Sequence, residues 1–274
     1  MKYSVATLLF LFVFSTVLLG QQPSGGIPYG NNPEAGHYAE VNGVKLYYEE
    51  YGEGAPLLLI HGNGGSIQGH GGRIAYFSQH YRVIAADSRS HGKSQDLGDS
   101  LTYKQMTADL NALLEHLGVD SCYIWGQSDG GIIGLRMAMD YPDKVKRVAI
   151  FGANLRPDTT AVFPSIVQWV EETMATTTDE RQRRLFALMK YQPQIATQDL
   201  ARVQVPVLVM SGDRDAIRLE HTVEIFHALP QANLLVMPGA THFGAYEKPD
   251  LFNSLLEAFF TQPFSTKATT DIFK

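Results

Sequence analysis

One stretch constrains this chain more than any other: Ile124-Trp125-Gly126-Gln127-Ser128-Asp129-Gly130-Gly131, where an apolar run breaks into glycines around a single serine and then resumes at helical spacing. The pattern predicts a strand, a sharp turn and a helix. Gly126, Ser128 and Gly130 fit G-x-S-x-G, a turn so tight that its flanks need residues without side chains to let two backbone segments approach. Such a turn lifts the serine hydroxyl above the end of a sheet. It also leaves the N–H of Asp129 at the open first turn of a helix, where unpaired donors and the helix dipole favour a developing negative charge. One turn thus offers a nucleophile and half of an oxyanion-binding pair.

The chain must then supply a base and an acid to orient it, because a serine hydroxyl alone is a weak nucleophile. Its 274 residues suit one large α/β domain with an insertion better than two complete domains. With 45% hydrophobic and 18% charged residues it can bury a sizeable core, and a net charge of -6 without a basic stripe argues against a nucleic-acid surface. No nucleic-acid partner is expected.

Residues 1–20 read as an export signal: Lys2 precedes an apolar run from Val5 to Leu19, and small Gly20 offers a cleavage point before Gln21. The run falls short of the roughly 20 apolar residues of a spanning helix, so no stable membrane insertion is expected after cleavage. An uncleaved anchor is the alternative. Export makes the protein periplasmic or secreted, and the single cysteine, Cys122, allows no intramolecular disulfide. Cys122 reads as a small core residue in the strand before the serine turn.

Pro, Gly and Asn content makes 21–35 a mobile segment. The first part of the core spans 36–154. Asn42-Gly43 joins two strands into a hairpin, and 56–60 is a continuous apolar strand ending in His61-Gly62-Asn63-Gly64-Gly65. Strand 81–86 runs into Asp87-Ser88-Arg89-Ser90-His91-Gly92-Lys93-Ser94, a turn expected to be held by side-chain to backbone bonds. Thr102 and Gln105 form a capping box before a helix with Met106, Leu110, Leu113, Leu114 and Leu117 on one face. Strand 145–151 follows the serine turn and its helix. Residues 155–203 turn helical and read as a cap, in which Asp179-Glu180-Arg181-Gln182-Arg183-Arg184 is a solvated helix face. Alternation returns over 204–262, with strands at 207–210 and 234–237 and helices at 219–229 and 251–260. Residues 263–274 form a tail.

Gly92-Lys93-Ser94 is no phosphate loop, because the glycine that motif needs five residues earlier is Asp87. The glycines after 56–60 read instead as the second oxyanion loop, with the N–H of Asn63 as donor. Asp215 follows one strand and His242 the next, giving the chain order Ser128, Asp215, His242. In doubly wound sheets, loops beyond the carboxyl ends of strands converge on the ligand site. No metal spacing such as H-E-x-x-H occurs and no cofactor is required; His61 reads as structural.

These segments, in this order from about Tyr38 to Phe260, resemble the α/β-hydrolase superfamily: a mostly parallel, doubly wound sheet with an antiparallel edge and a helical cap. The resemblance makes Ser128 the nucleophile, His242 the base and Asp215 the acid, with Asp213 of Gly212-Asp213-Arg214-Asp215 as the alternative acid. The implied activity is hydrolysis of a small carboxylic ester through an acyl-enzyme. Lactone, amide or carbon–carbon bond hydrolysis, or a sensor without turnover, are the alternatives. Ser90 stands where relatives often have glycine, which is expected to alter only the turn. Ser128-Asp129-Gly130-Gly131 and Ile150-Phe151-Gly152-Ala153-Asn154 are similar to the valacyclovir hydrolases of this family, in which the acid after the nucleophile binds the ammonium of an α-amino ester. That makes Asp129 a substrate-binding residue; its alternative role is bonding to nearby backbone or cap.

Overall fold

The computed structural model describes residues 26–273. The export signal read over residues 1–20 lies outside them, and no described helix is long and apolar enough to cross a membrane.

Continuous apolar strands need cover on both faces, and the sheet provides it. Strands β1 (Gly36–Val41), β2 (Val44–Tyr51), β3 (Ala55–Ile60), β4 (Tyr81–Ala86), β5 (Cys122–Gln127), β6 (Val145–Phe151), β7 (Val207–Arg214) and β8 (Ala232–Thr241) line up in the order β1-β2-β4-β3-β5-β6-β7-β8. β1 and β2 are the antiparallel edge, and all pairs from β4 to β8 are parallel. Asn42 (φ 47°) and Gly43 (φ 76°) both take positive φ, as a two-residue hairpin loop matched to strand twist requires.

Side-chain alternation divides each central strand between two cores. Leu58 and Ile60 of β3 and Ile124 of β5 face one side, with Leu110 and Leu113 of α2 (Tyr103–His116), Ile132 and Ile133 of α3 (Asp129–Asp140), and Ile225 of α6 (Leu219–Ala228). Leu57, Leu59 and Trp125 face the other. There they meet Ile74 and Phe77 of α1 (Gly71–Phe77) and Phe252, Leu256 and Phe260 of α7 (Pro249–Thr261). Cys122 is buried, as its sequence context requires. The capping box is half realised: Thr102 accepts the Gln105 N–H, but the Gln105 side chain donates to Asp109 instead.

Three expectations need correction. The segment read as mobile is anchored where described: the N–H groups of Gly30 and Asn32 donate to fully buried Glu49, whose carboxylate also accepts the Tyr47 and Tyr51 hydroxyls. A carboxylate that deep needs such donors, and a Gly/Asn loop presents backbone N–H without obstruction. Gly212 and Asp213, read as loop, extend β7, because β8 runs to Thr241 and its ladder continues past a register shift. The acid–base run of the cap is not simply solvated. The cap consists of α4 (Pro164–Thr176), α5 (Glu180–Tyr191) and a short 3-10 turn, Thr197–Arg202, and Trp169 packs edge-on against Phe186. In α5 the Glu180–Arg183 pair is exposed, but Arg181 donates to Ser90 O and Arg184 pairs with Asp96 of the core.

Candidate active site

The turn after β5 has the strain its sequence implies. Ser128 has φ 54° and ψ -119°, a left-handed conformation that costs a side-chain-bearing residue about 1–3 kcal/mol. A β-carbon on Gly126 would sit 2.1 Å from Gly130 O, and one on Gly130 would sit 2.1 Å from Ile60 O. Any side chain at either position would open the turn. The Ser128 N–H is held by Phe151 O at the end of β6, at 2.8 Å.

Beyond the ends of β7 and β8, His242 Nδ1 lies 2.6 Å from Asp215 Oδ1. Asp215 also accepts the N–H groups of Ile217 (3.0 Å) and Gly212 (3.3 Å). Burial alone would raise its carboxyl, but His242 and these donors outweigh it and hold it below the ordinary carboxylate range. The reverse holds at the ring: burial disfavours the imidazolium, and the charges of Asp215 and, more weakly, Asp129 overcome this and raise the His242 pKa. A proton on Nδ1 facing Asp215 leaves Nε2 with its lone pair as an acceptor.

The serine and histidine loops are tied together. Gln127, beside the serine, donates its side-chain amide to His242 O at 2.9 Å. A β-carbon on Gly152, which follows β6, would lie 2.7 Å from His242 Nδ1, so the absence of a side chain makes room for the ring. Ser128 Oγ makes no hydrogen bond among the described residues, as is common where alignment tightens only with substrate. Beneath, the buried Arg73 guanidinium sits 5.5 Å from the Trp125 ring and 4.4 Å from the Tyr246 ring, clamping the serine-bearing strand to the segment after His242.

Asp213 does not face the histidine. It is solvent-exposed, its Oδ1 accepts the Ala240 N–H at 3.2 Å, and such backbone donors lower its carboxyl. His61 is structural: Nε2 accepts the Ser88 N–H and Nδ1 faces Gly62 O, bridging the ends of β3 and β4. The 87–94 turn is held as its composition predicts, with Asp87 accepting the N–H groups of Lys93 and, across the site, Ile67.

Asn63 and Asp129 adjoin. Asn63 Nδ2 donates to Asp129 Oδ2 at 3.0 Å and to Leu185 O of α5 at 3.1 Å, and Tyr103 OH donates to Asp129 Oδ1 at 2.8 Å. The Asp129 carboxyl is buried, and desolvation raises its pKa against its two neutral donors and the weaker, more distant charges of His61 and His242. Neither backbone N–H, of Asn63 or of Asp129, has an acceptor among the described residues. Sequence reasoning missed Tyr103, Gln127 and Leu185, whose roles rest on contacts between residues far apart in the chain or, for Leu185, on a backbone carbonyl.

A family model for the alpha/beta hydrolase fold matches residues 55–189. With the topology and the serine turn described above, the chain belongs to the α/β-hydrolase superfamily and is a hydrolase of that fold. It is 25% identical over 247 residues to 3-oxoadipate enol-lactonase 2 of Acinetobacter baylyi, an alignment covering 78% of this chain and 92% of that one. It is 29% identical over 271 residues to the dihydrolipoyllysine-residue acetyltransferase component of the acetoin cleaving system of Pseudomonas putida, covering 86% and 71%. Among solved structures, the enol-lactonase from Burkholderia xenovorans superposes with a TM-score of 0.74 at 22% identity, over 82% of this chain and all of that one, a likeness of fold.

Proposed function

We propose that the protein cleaves a small carboxylic ester through an acyl-enzyme on Ser128. The observation that carries this reading is the His242–Asp215 pair, 2.6 Å apart, whose histidine loop is tied by Gln127 to the strained strand-to-helix turn of Ser128. In the first step Ser128 Oγ attacks the ester carbonyl carbon while His242 Nε2 takes its proton, and the carbonyl electrons move onto oxygen. The N–H groups of Asn63 and Asp129 are the donors for that oxyanion. Collapse expels the alcohol, protonated by His242. Water, deprotonated by the same ring, then attacks the acyl carbon and releases the acid, restoring Ser128. Asp215 holds the ring in its useful tautomer and stabilises the imidazolium.

The buried Asp129 carboxylate supports a narrower substrate class, α-amino esters, whose ammonium would provide the cation that Tyr103 and Asn63 do not. The relatives named as enol-lactonases support a second reading, in which the scissile ester is cyclic. Turnover of p-nitrophenyl acetate that disappears in Ser128→Ala supports the acyl-enzyme; turnover persisting in that variant refutes it. Matched linear, cyclic and α-amino esters then rank the substrate readings.

The layout of residues 1–20 supports export to the periplasm or medium. The native protein is then expected to begin near Gln21 by mass spectrometry, and an intact Met1 in a membrane fraction would refute this.

A further inference from the structure

The cap helix α5 is fastened to the core at three points. Arg181 Nε donates to Ser90 O at 2.7 Å. Arg184 lies 2.5 Å from Asp96 Oδ2, and the other Asp96 oxygen accepts the Ser90 hydroxyl at 2.9 Å. Ser90 therefore grips the helix twice, through its carbonyl and, by way of Asp96, through its hydroxyl. The third point is Leu185 O, which follows Arg184 and accepts from Asn63 Nδ2, the nitrogen that also holds Asp129.

Ser90 has φ 62°, a conformation in which glycine is at ease and a β-carbon is not. Sequence reasoning expected the serine to alter only its turn. The structure corrects this: the hydroxyl that glycine lacks builds the link to Asp96 and Arg184. The Arg184 and Asp96 side chains are 21% and 27% exposed, so the pair is only partly screened by salt.

We propose that Ser90 and Asp96 are positioning residues for the oxyanion loop, acting through α5. Arg181 and Arg184 fix where α5 sits, α5 fixes Leu185 O, and Leu185 O and Asp129 together take the two N–H bonds of Asn63 Nδ2. An amide nitrogen held by two acceptors on a short side chain restrains its own backbone, and hence the Asn63 N–H, in one orientation. Helix α5 is thereby a latch that completes the oxyanion site without touching substrate. This rests on the serine-hydrolase reading.

The test compares wild type, Ser90→Gly, Asp96→Asn and the double variant. Measured for each are kcat and KM on p-nitrophenyl acetate, the unfolding temperature, fluorophosphonate labelling of Ser128, and amide hydrogen exchange of α5. Ser90→Gly relieves a strained φ, so its unfolding temperature is expected to hold or rise while kcat falls about two- to fivefold at nearly constant KM. Exchange of α5 is expected to speed up in both single variants. The double variant is expected to be little worse than either, because both changes cut one chain of contacts. Loss of activity that only follows loss of stability, or unchanged α5 exchange and kcat in Ser90→Gly, overturns the proposal. If wild type neither turns over the ester nor labels at Ser128, the hydrolase reading fails instead, and α5 exchange alone decides the latch.

Discussion

Two aspartates lie at the carboxyl ends of neighbouring parts of the sheet, Asp215 after β7 and Asp129 after β5, and both are hidden from solvent, at 6% and 4% exposure. Their carboxyls move in opposite directions. Asp215 has an imidazole 2.6 Å away and backbone N–H groups from Ile217 and Gly212, and these overcome burial and lower its pKa. Asp129 bonds only a phenol and an amide, with His61 and His242 acting on it more weakly from a distance, and burial wins. Neutral donors satisfy lone pairs without balancing charge, whereas a titratable cation does both. The charge of Asp215 is thus committed to the protein's own base, while Asp129 has no ion-pair partner among the described residues, the feature on which the α-amino ester reading proposed above rests.

Breaking the first member gives the largest effect. Asp215→Asn leaves an isosteric acceptor but no charge, and kcat is expected to fall about 10³- to 10⁴-fold. The acidic limb of kcat/KM reports the free enzyme's base. Because His242 is raised in the wild type, that limb is expected above the ordinary imidazole range. Without the Asp215 charge it moves to lower pH, which a pH–rate profile checks.

Changing the second member alters selection rather than chemistry. Asp129→Asn keeps the backbone N–H, so neutral esters are expected to lose little while α-amino esters lose about ten- to a hundredfold in kcat/KM, the worth of a charge-assisted hydrogen bond. Equal loss on both classes would make Asp129 a structural residue of the turn. The same variant is expected to unfold at higher temperature at neutral pH. A carboxyl with a raised folded pKa gives its stability when protonated and loses it as pH rises through that pKa, so removing the buried charge helps most at neutral pH. The gain is expected to vanish as pH falls toward the unfolded carboxylate range. Melting curves across pH check this.

The smallest effect belongs to Asp213. It is exposed and bonds only backbone, so Asp213→Asn is expected to change kcat less than about twofold. A loss rivalling that of Asp215→Asn would mean that the acid had been misassigned.

How much of this was legible in the sequence follows from how local each cause is. The serine turn was legible because Gly126 and Gly130 face steric limits set by backbone a few residues away or at the neighbouring strand end. The positions of Asp215 and His242 were legible because each follows a strand, and strand ends converge whatever lies between. The donors to Asp129 were not: Tyr103 opens a helix like any aromatic, and Asn63 drew attention for its backbone rather than its amide. Arg181 and Arg184 read as solvated because helix spacing alone cannot say what faces them. Helix α1 was missed as well. Its start, His70-Gly71-Gly72, has poor helix formers, and packing of Ile74 and Phe77 into the core overrides that preference.

The central claim is that Ser128, His242 and Asp215 act as one unit that passes an acyl group through the serine. Quenching the reaction with p-nitrophenyl acetate in the first moments, followed by digestion and mass spectrometry, tests it directly. One acetyl group on Ser128, absent in Ser128→Ala and scarcely formed in Asp215→Asn, is the predicted result. Turnover with no acetyl on Ser128, or acetyl carried on another residue with Ser128→Ala still active, would contradict it.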